Sequence, residues 1–147
     1  ASLKTNIFEA VDCPCLTNLP FGFTATKKIN LTKCPIQKLD NITTENLIIS
    51  HCEKIKKLGP SVQFKNLDAS NSSLEKLPDN LAVQNINLIK CPIKELPNNL
   101  KAKYIDAPKS QISEIPNSLE ADYLNLDSTH VVSVPIHLNV KKKLHIY

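Results

Sequence analysis

A solenoid of short stacked repeats built around a parallel β-sheet is the fold that the sequence predicts, on two observations. The first is an aliphatic residue that recurs every 19 positions, and the second is a proline directly after four of these residues. The series comprises Leu39, Leu58, Leu77, Leu96, Ile115 and Val134, with Pro78, Pro97, Pro116 and Pro135. A fixed period near or above about 20 residues indicates one short unit stacked on copies of itself. Such stacks usually build binding surfaces rather than catalytic clefts.

The interior of each period predicts one strand and no regular helix. Ile86 and Leu88 alternate with polar residues, which is the period of a strand with one buried face. Pro92 and the Leu-Pro steps that follow favour extended or turn geometry over helix. We therefore expect a parallel β-sheet on the concave face, extended or short 3₁₀ segments on the convex face, and little helix.

The repeated unit resembles the leucine-rich repeat, whose consensus is L-x-x-L-x-L-x-x-N-x-L-x-x-L-P. The match runs from about Leu16 to Val134 and recurs about six times. The Asn column of that family is occupied here by Cys34, Cys52, Ser72, Cys91, Ser110 and Thr129. Because these side chains are small and can still donate to backbone carbonyls, the resemblance implies a leucine-rich repeat solenoid with a softer ladder.

The segment Val11-Asp12-Cys13-Pro14-Cys15, followed by Leu-Thr-Asn-Leu-Pro, resembles the end of the cysteine-containing N-terminal cap of extracellular leucine-rich repeat proteins. The upstream cysteine pair of a full cap is missing. The expected organisation is one domain over 1–147, with a cap-like segment at 1–20, about six repeats over 21–147 and an uncapped C-terminal end.

The cysteine count is five, so at least one thiol is free or bonds outside the chain. We interpret Cys34, Cys52 and Cys91 as buried thiols. Neighbouring strands lie about 4.8 Å apart, so a Cys34–Cys52 bond is the alternative. Cys15 has no obvious partner and is a candidate for intermolecular bonding.

Secretion is the expected location, and no apolar run is long enough for a membrane helix. Three Asn-x-Ser/Thr acceptors for glycosylation occur, at Asn30, Asn41 and Asn71. The cap resemblance supports the same location more strongly, since the cap is typical of extracellular proteins.

Neither an enzyme nor a metal or cofactor site is expected. His51, His130, His137 and His145 lack the spacing of a helical metal pair. Only two glycines are present, which excludes a glycine-rich phosphate loop. Nucleic acid is not an expected partner, because the net charge is only +4 and all 18 basic residues are lysines, without an arginine for bidentate base contacts.

The outward residues of the strands are the candidate ligand-binding surface. Tyr104 and Tyr123 fall in the same column on adjacent coils, near Asp106 and Asp127. Tyrosine is a common interface anchor, because it offers rigid area and a hydroxyl. The predicted ligand residues are Tyr104, Tyr123, Asp106, Asp127, Asn125, Asn87 and Asp68. The alternative is that the two tyrosines only form a cross-strand pair that covers the sheet.

The predicted function is a secreted binding module that recognises a protein or surface glycan through the concave face. The leucine-rich repeat resemblance implies roles in innate immunity or cell-surface recognition. Lysines such as Lys54, Lys56 and Lys57 attract an anionic partner or keep the rim soluble. The uncapped C-terminal edge or Cys15 suggests a homodimer or heteromer. Two other functions stay open: an intracellular effector that binds a host protein, and an extracellular structural protein that self-assembles.

Overall fold

The computed structural model describes residues 4–147 as a succession of short strands and turns that forms a parallel β-solenoid of about seven turns. Eight strands lie side by side in chain order and every neighbouring pair is parallel. The strands are β1 (Lys4–Glu9), β2 (Thr24–Asn30), β3 (Asn46–Ile48), β4 (Asn66–Asp68), β5 (Ala82–Asn87), β6 (Lys101–Asp106), β7 (Glu120–Asn125) and β8 (Asn139–His145). The described residues contain no α-helix and no 3₁₀ turn, so the return segments are extended chain and turns.

The repeat period places equivalent side chains on top of one another. Ile86 pairs in register with Ile105, and Ile105 with Leu124. All three are buried, with exposed fractions of 1%. The recurring leucines from Leu39 to Leu96 are buried as well. The predicted continuous interior is therefore confirmed, except at the last coil, where Val134 is 47% exposed.

The segment before Pro20 also contributes to the sheet. Strand β1 pairs with β2, which aligns Phe8 with Ile29. The ring of Phe8 meets that of Phe23 edge to face, with 5.0 Å between ring centroids. The predicted cap-like segment thus supplies the first strand of the same solenoid.

A column of small polar side chains donates to backbone carbonyls in the bends, and its three cysteines link neighbouring coils. The thiols of Cys34, Cys52 and Cys91 donate to backbone carbonyls of the preceding coil at 2.7, 3.0 and 2.7 Å. The hydroxyl of Ser110 donates instead to Ala107 within its own coil at 2.8 Å. These bonds satisfy carbonyls in the bend after each strand, where the sheet ladder has ended. The expected polar ladder is present.

A residue with left-handed backbone precedes this column in most coils. The residues are Asp12, Lys33, His51, Asn71, Lys90, Lys109 and Ser128, with φ between 55° and 62°. Asn, Asp and His are enriched in this region, whereas Lys and Ser are not. The turn geometry is thus imposed by the stacking of the coils and not by local preference.

Replacing Lys109 by Gly should therefore stabilise the protein by roughly 0.5–1 kcal/mol, because glycine removes the steric cost of positive φ. Lys54→Gly is the matched control, since Lys54 is exposed and its φ is not positive. That variant should lose roughly 0.5–1 kcal/mol through the extra entropy of the unfolded chain. Urea denaturation of both variants measures the difference, and a loss of stability in both would contradict the expectation.

Candidate ligand-binding face

The sheet turns one side to the core and the other, the outer face, to solvent. Two columns of in-register side chains run across the outer face from β2 to β8. The tyrosine column contains Lys28, Asn46, Asn66, Asn85, Tyr104, Tyr123 and Lys143. The aspartate column contains Asn30, Ile48, Asp68, Asn87, Asp106, Asn125 and His145. The strands fix the spacing of these side chains, so the outer face has a regular, fixed arrangement of side chains.

Tyr104 and Tyr123 form a stacked pair at the centre of β6 and β7. Their ring centroids lie 4.7 Å apart and the ring planes differ by 5°. The ammonium group of Lys103 lies over the Tyr104 ring at 5.6 Å, and that of Lys142 over the Tyr123 ring at 5.7 Å. The ring faces that meet in the stack are closed to a ligand. The pair therefore presents ring edges and hydroxyl groups, held in place by its neighbours.

Asparagines fill the same column on the preceding strands and form a chain of side-chain hydrogen bonds. The amide of Asn85 donates to Asn66 at 2.7 Å, and that of Asn66 donates to Asn46 at 2.9 Å. Asn46 completes the chain by donating to the Lys27 carbonyl at 2.8 Å. These amides are already partnered, so the outer face changes from a satisfied amide ladder to an aromatic patch between β5 and β6.

Acidic groups lie beside the tyrosine pair. Asp106 accepts a hydrogen bond from the Asn125 amide at 2.9 Å, and Asn125 in turn accepts one from the Asp127 backbone N–H at 3.0 Å. The Oδ1 atom of Asp127 is buried and, within the described residues, is the one buried side-chain oxygen or nitrogen without a hydrogen-bond partner. An unpaired buried acceptor is costly, so the turn after β7 holds a polar atom that the described part of the chain leaves unsatisfied.

The structure brings five of the seven predicted ligand residues together. Tyr104 and Asp106 belong to β6, Tyr123 and Asn125 to β7, and Asp127 to the turn that follows. Asp68 and Asn87 lie in the aspartate column on β4 and β5. Their Oδ1 atoms accept backbone hydrogen bonds from Ser70 and Ile89 respectively. Those two side chains are committed to their own turns.

A groove lies next to the tyrosine pair. Strict alternation of inward and outward residues along the strands does not predict it. It has a volume of about 510 Å³, and small apolar residues such as Val83, Ala102 and Ala121 lie among its lining residues. Charged lining residues outnumber the others, with Lys65, Lys101, Lys103, Lys141, Glu120 and Asp122. Lys101 lies 3.9 Å from Glu120, which leaves Lys65, Lys103 and Lys141 without an ion pair among the described residues. We refer to this feature as the basic groove.

The basic groove exists because two consecutive residues of β5, β6 and β7 point outward. Gln84 and Asn85 are both exposed between Val83 and the buried Ile86. The same doubling occurs at Lys103 with Tyr104, between buried Ala102 and Ile105. The signal in the sequence is the spacing of three, not two, between successive apolar residues. It places Lys103 and Asp122 on the outer face as well.

The glycosylation acceptors occupy three different settings. Asn30 is the last residue of β2, and its Oδ1 atom accepts bonds from the backbone and hydroxyl of Thr32 at 3.1 and 2.7 Å. Asn41 and Asn71 lie in turns with φ of 52° and 56°. All three are half-buried. A glycan is a bulky surface group, and burial does not distinguish the three acceptors as sites for it.

All five cysteines are free thiols. The cap-like segment therefore has no disulfide, and the alternative Cys34–Cys52 bond is not formed. Cys15 is exposed. Burial raises the pKa of the Cys34, Cys52 and Cys91 thiols, that of Cys52 to about 11, from 9.0. Buried thiols with raised pKa values are poor nucleophiles, because the thiolate is the reactive form. The ladder cysteines are therefore structural.

No cluster of three or more His, Cys, Asp or Glu side chains that could hold a metal ion occurs within residues 4–147. Over the same range, no helix has the length and apolar character needed to cross a membrane. The chain matches no family model, no curated protein and no solved structure. The outer face itself is thus the basis for a functional proposal.

Proposed function

We propose that this chain is a secreted binding module of the leucine-rich repeat type, which recognises a protein through the outer face around Tyr104, Tyr123, Asp106 and Asp127. The observation that carries the proposal is the stacked tyrosine pair. Tyr104 is 40% exposed and belongs to no core column, so the pair is not needed to fill the interior. Rigid tyrosines at the centre of a preorganised surface are typical of binding hot spots.

A protein ligand is favoured over a glycan by the geometry of the pair. A sugar ring packs best against an open aromatic face, and the stack closes the inner face of each ring. Ring edges, hydroxyls and the carboxylates of Asp106 and Asp127 instead suit the mixed polar and apolar surface of a protein. The protein ligand should also carry acidic residues that face the basic groove beside the pair. Three lysines of the groove have no ion pair among the described residues and are available to bind them.

The proposal is tested by affinity capture from extracellular fluid with the wild-type chain and with Tyr104→Ser/Tyr123→Ser as baits. We expect the wild type to retain a protein that the double variant does not. Once the protein is purified, the double variant should bind it at least about tenfold more weakly, which corresponds to the loss of one or more hot-spot residues.

Phe21→Ser is the matched control, because Phe21 is an aromatic residue that is 80% exposed and lies outside the outer face. It should bind like the wild type. Circular dichroism and thermal unfolding of all three proteins exclude misfolding as the cause of a difference. Equal capture by the wild type and a folded double variant would contradict the proposal. The tyrosines would then serve only as a cross-strand pair that covers the sheet. A ligand that survives protease treatment of the fluid would identify a glycan.

A further inference from the structure

The return segments, on the opposite side of the solenoid from the outer face, carry a column in which charge is sorted by sign. The column consists of the residue before each recurring leucine or its equivalent: Lys38, Lys57, Lys76, Glu95 and Glu114. Lys57 bridges to Lys76, and Glu95 to Glu114, so these residues are aligned on neighbouring coils. All five are exposed. The adjacent column consists of the residues one position earlier, Gln37, Lys56, Glu75, Lys94 and Ser113. We name the two columns together the return face.

Sorting by sign places like charges next to one another within the chain. Adjacent coils of a parallel sheet are about 4.8 Å apart, so Lys57 has a lysine on each side and Glu95 faces Glu114. Directly opposed like charges are destabilising. Within the described residues, the one ion pair on the return face joins Lys56 to Glu75 at 3.3 Å, in the adjacent column. The charged column itself has no ion pair with any neighbour in that part of the chain.

The order of the charges is self-complementary about a point between the coils of Leu77 and Leu96. Consider a second copy that faces the first and is related to it by a two-fold axis along the return segments at that point. Lys76 then faces Glu95 of the other copy, and Lys57 faces its Glu114. In the adjacent column, Glu75 faces Lys94 of the other copy. On these four coils every charge of the first column meets its opposite, on both halves of the interface. In the adjacent column, Lys56 faces the neutral Ser113.

The other two-fold arrangement is excluded by the same charges. Rotation about the solenoid axis would keep the order of coils and would bring Lys57 opposite Lys57 and Glu114 opposite Glu114. That arrangement adds repulsion between the copies to the repulsion already present in each chain. The sorted column therefore distinguishes between two geometries that are otherwise equivalent.

We propose that two copies of this chain associate through their return faces, with antiparallel solenoids related by the two-fold axis between the coils of Leu77 and Leu96. The return face is not flat at this point, and its hollows can receive side chains of the other copy. One of about 510 Å³ is lined by Glu75, Lys76, Pro92, Lys94, Glu95 and Gln111. Exposed ion pairs contribute little individually, so the dimer is weak and sensitive to salt. It leaves both outer faces free, pointing in opposite directions.

The test uses two charge-reversed variants of the full chain in sedimentation velocity at low salt. Lys57→Glu/Lys76→Glu makes most of the column acidic, and Glu95→Lys/Glu114→Lys makes all of it basic. Each alone should be monomeric, with a dimer dissociation constant at least about tenfold above that of the wild type. Mixed one to one, they should form a heterodimer, because every reversed charge then meets its opposite.

The matched control is Lys103→Glu/Lys141→Glu, which makes the same change of net charge in the basic groove as the lysine reversal. It should dimerise like the wild type. The wild-type dimer should also dissociate at about 0.5 M salt, where screening extends only a few ångströms. A wild type that is monomeric at low salt, variants that still self-associate, or a mixture that stays monomeric would each overturn the proposal.

Discussion

Replacing Ile86 by Ala should lower the free energy of unfolding by about 2–5 kcal/mol, the range typical of a large buried aliphatic side chain. Ile86 is 1% exposed and lies in the middle of the sheet, in register with Leu67 on one side and Ile105 on the other. The cavity therefore opens between two coils and weakens the contacts of both. Urea denaturation followed by circular dichroism measures the loss.

Ile136→Ala is the control for this prediction, because it removes the same atoms from a side chain that is 95% exposed. Its effect should stay within about 0.5 kcal/mol. In a stacked chain the loss at Ile86 should also reduce cooperativity, since each coil contacts mainly its neighbours. Similar losses in the two variants would show that the columns do not form the stabilising interior.

Alkaline pH should destabilise the protein through the thiol column, with Cys52 as the largest contributor. Burial raises the pKa of Cys52 to about 11, from 9.0. Between these values the unfolded chain releases the thiol proton while the folded chain retains it, so stability falls as pH rises. Below pH 9 both states hold the proton and this contribution is fully present. Two pH units correspond to a loss of about 3 kcal/mol.

Cys52→Ser isolates this contribution from the lysines and tyrosines that titrate in the same range. Serine already occupies the same column at Ser72 and Ser110, so the substitution fits the turn. The stability difference between wild type and variant should change by about 2 kcal/mol from pH 8 to pH 11, to the disadvantage of the wild type. Parallel pH profiles for the two proteins would contradict the expected shift.

The interior and the position of the tyrosine pair could be predicted from the sequence, because both depend only on the repeat spacing. The fixed period aligns Ile86 with Ile105 and Tyr104 with Tyr123, whatever the exact shape of the bends. Equivalent offsets within each unit then determine which side chains share a column. The burial of Cys34, Cys52 and Cys91 follows from the same alignment.

The basic groove could not be predicted by strict alternation, since the doubled outward residues break the period of two. Lys103 and Asp122 reach the outer face through an irregularity that is visible only as a spacing of three between buried residues. The sheet position of β1 was hidden for a related reason. Phe8 is separated from its partner Ile29 by a longer stretch of chain than Ile86 is from Ile105, so the first coil does not fit the fixed period.

The even step between coils has a consequence for how a chain of this kind changes its length. Leu67, Ile86 and Ile105 follow one another at equal intervals of sequence. Deletion of residues 86–104 would therefore place Ile105 directly beside Leu67, with the same register between the coils. The architecture would survive the loss. The sorted charges would not, because Glu95 would be removed and three lysines would be left with one glutamate. Gain or loss of whole units can thus alter self-recognition while the fold persists.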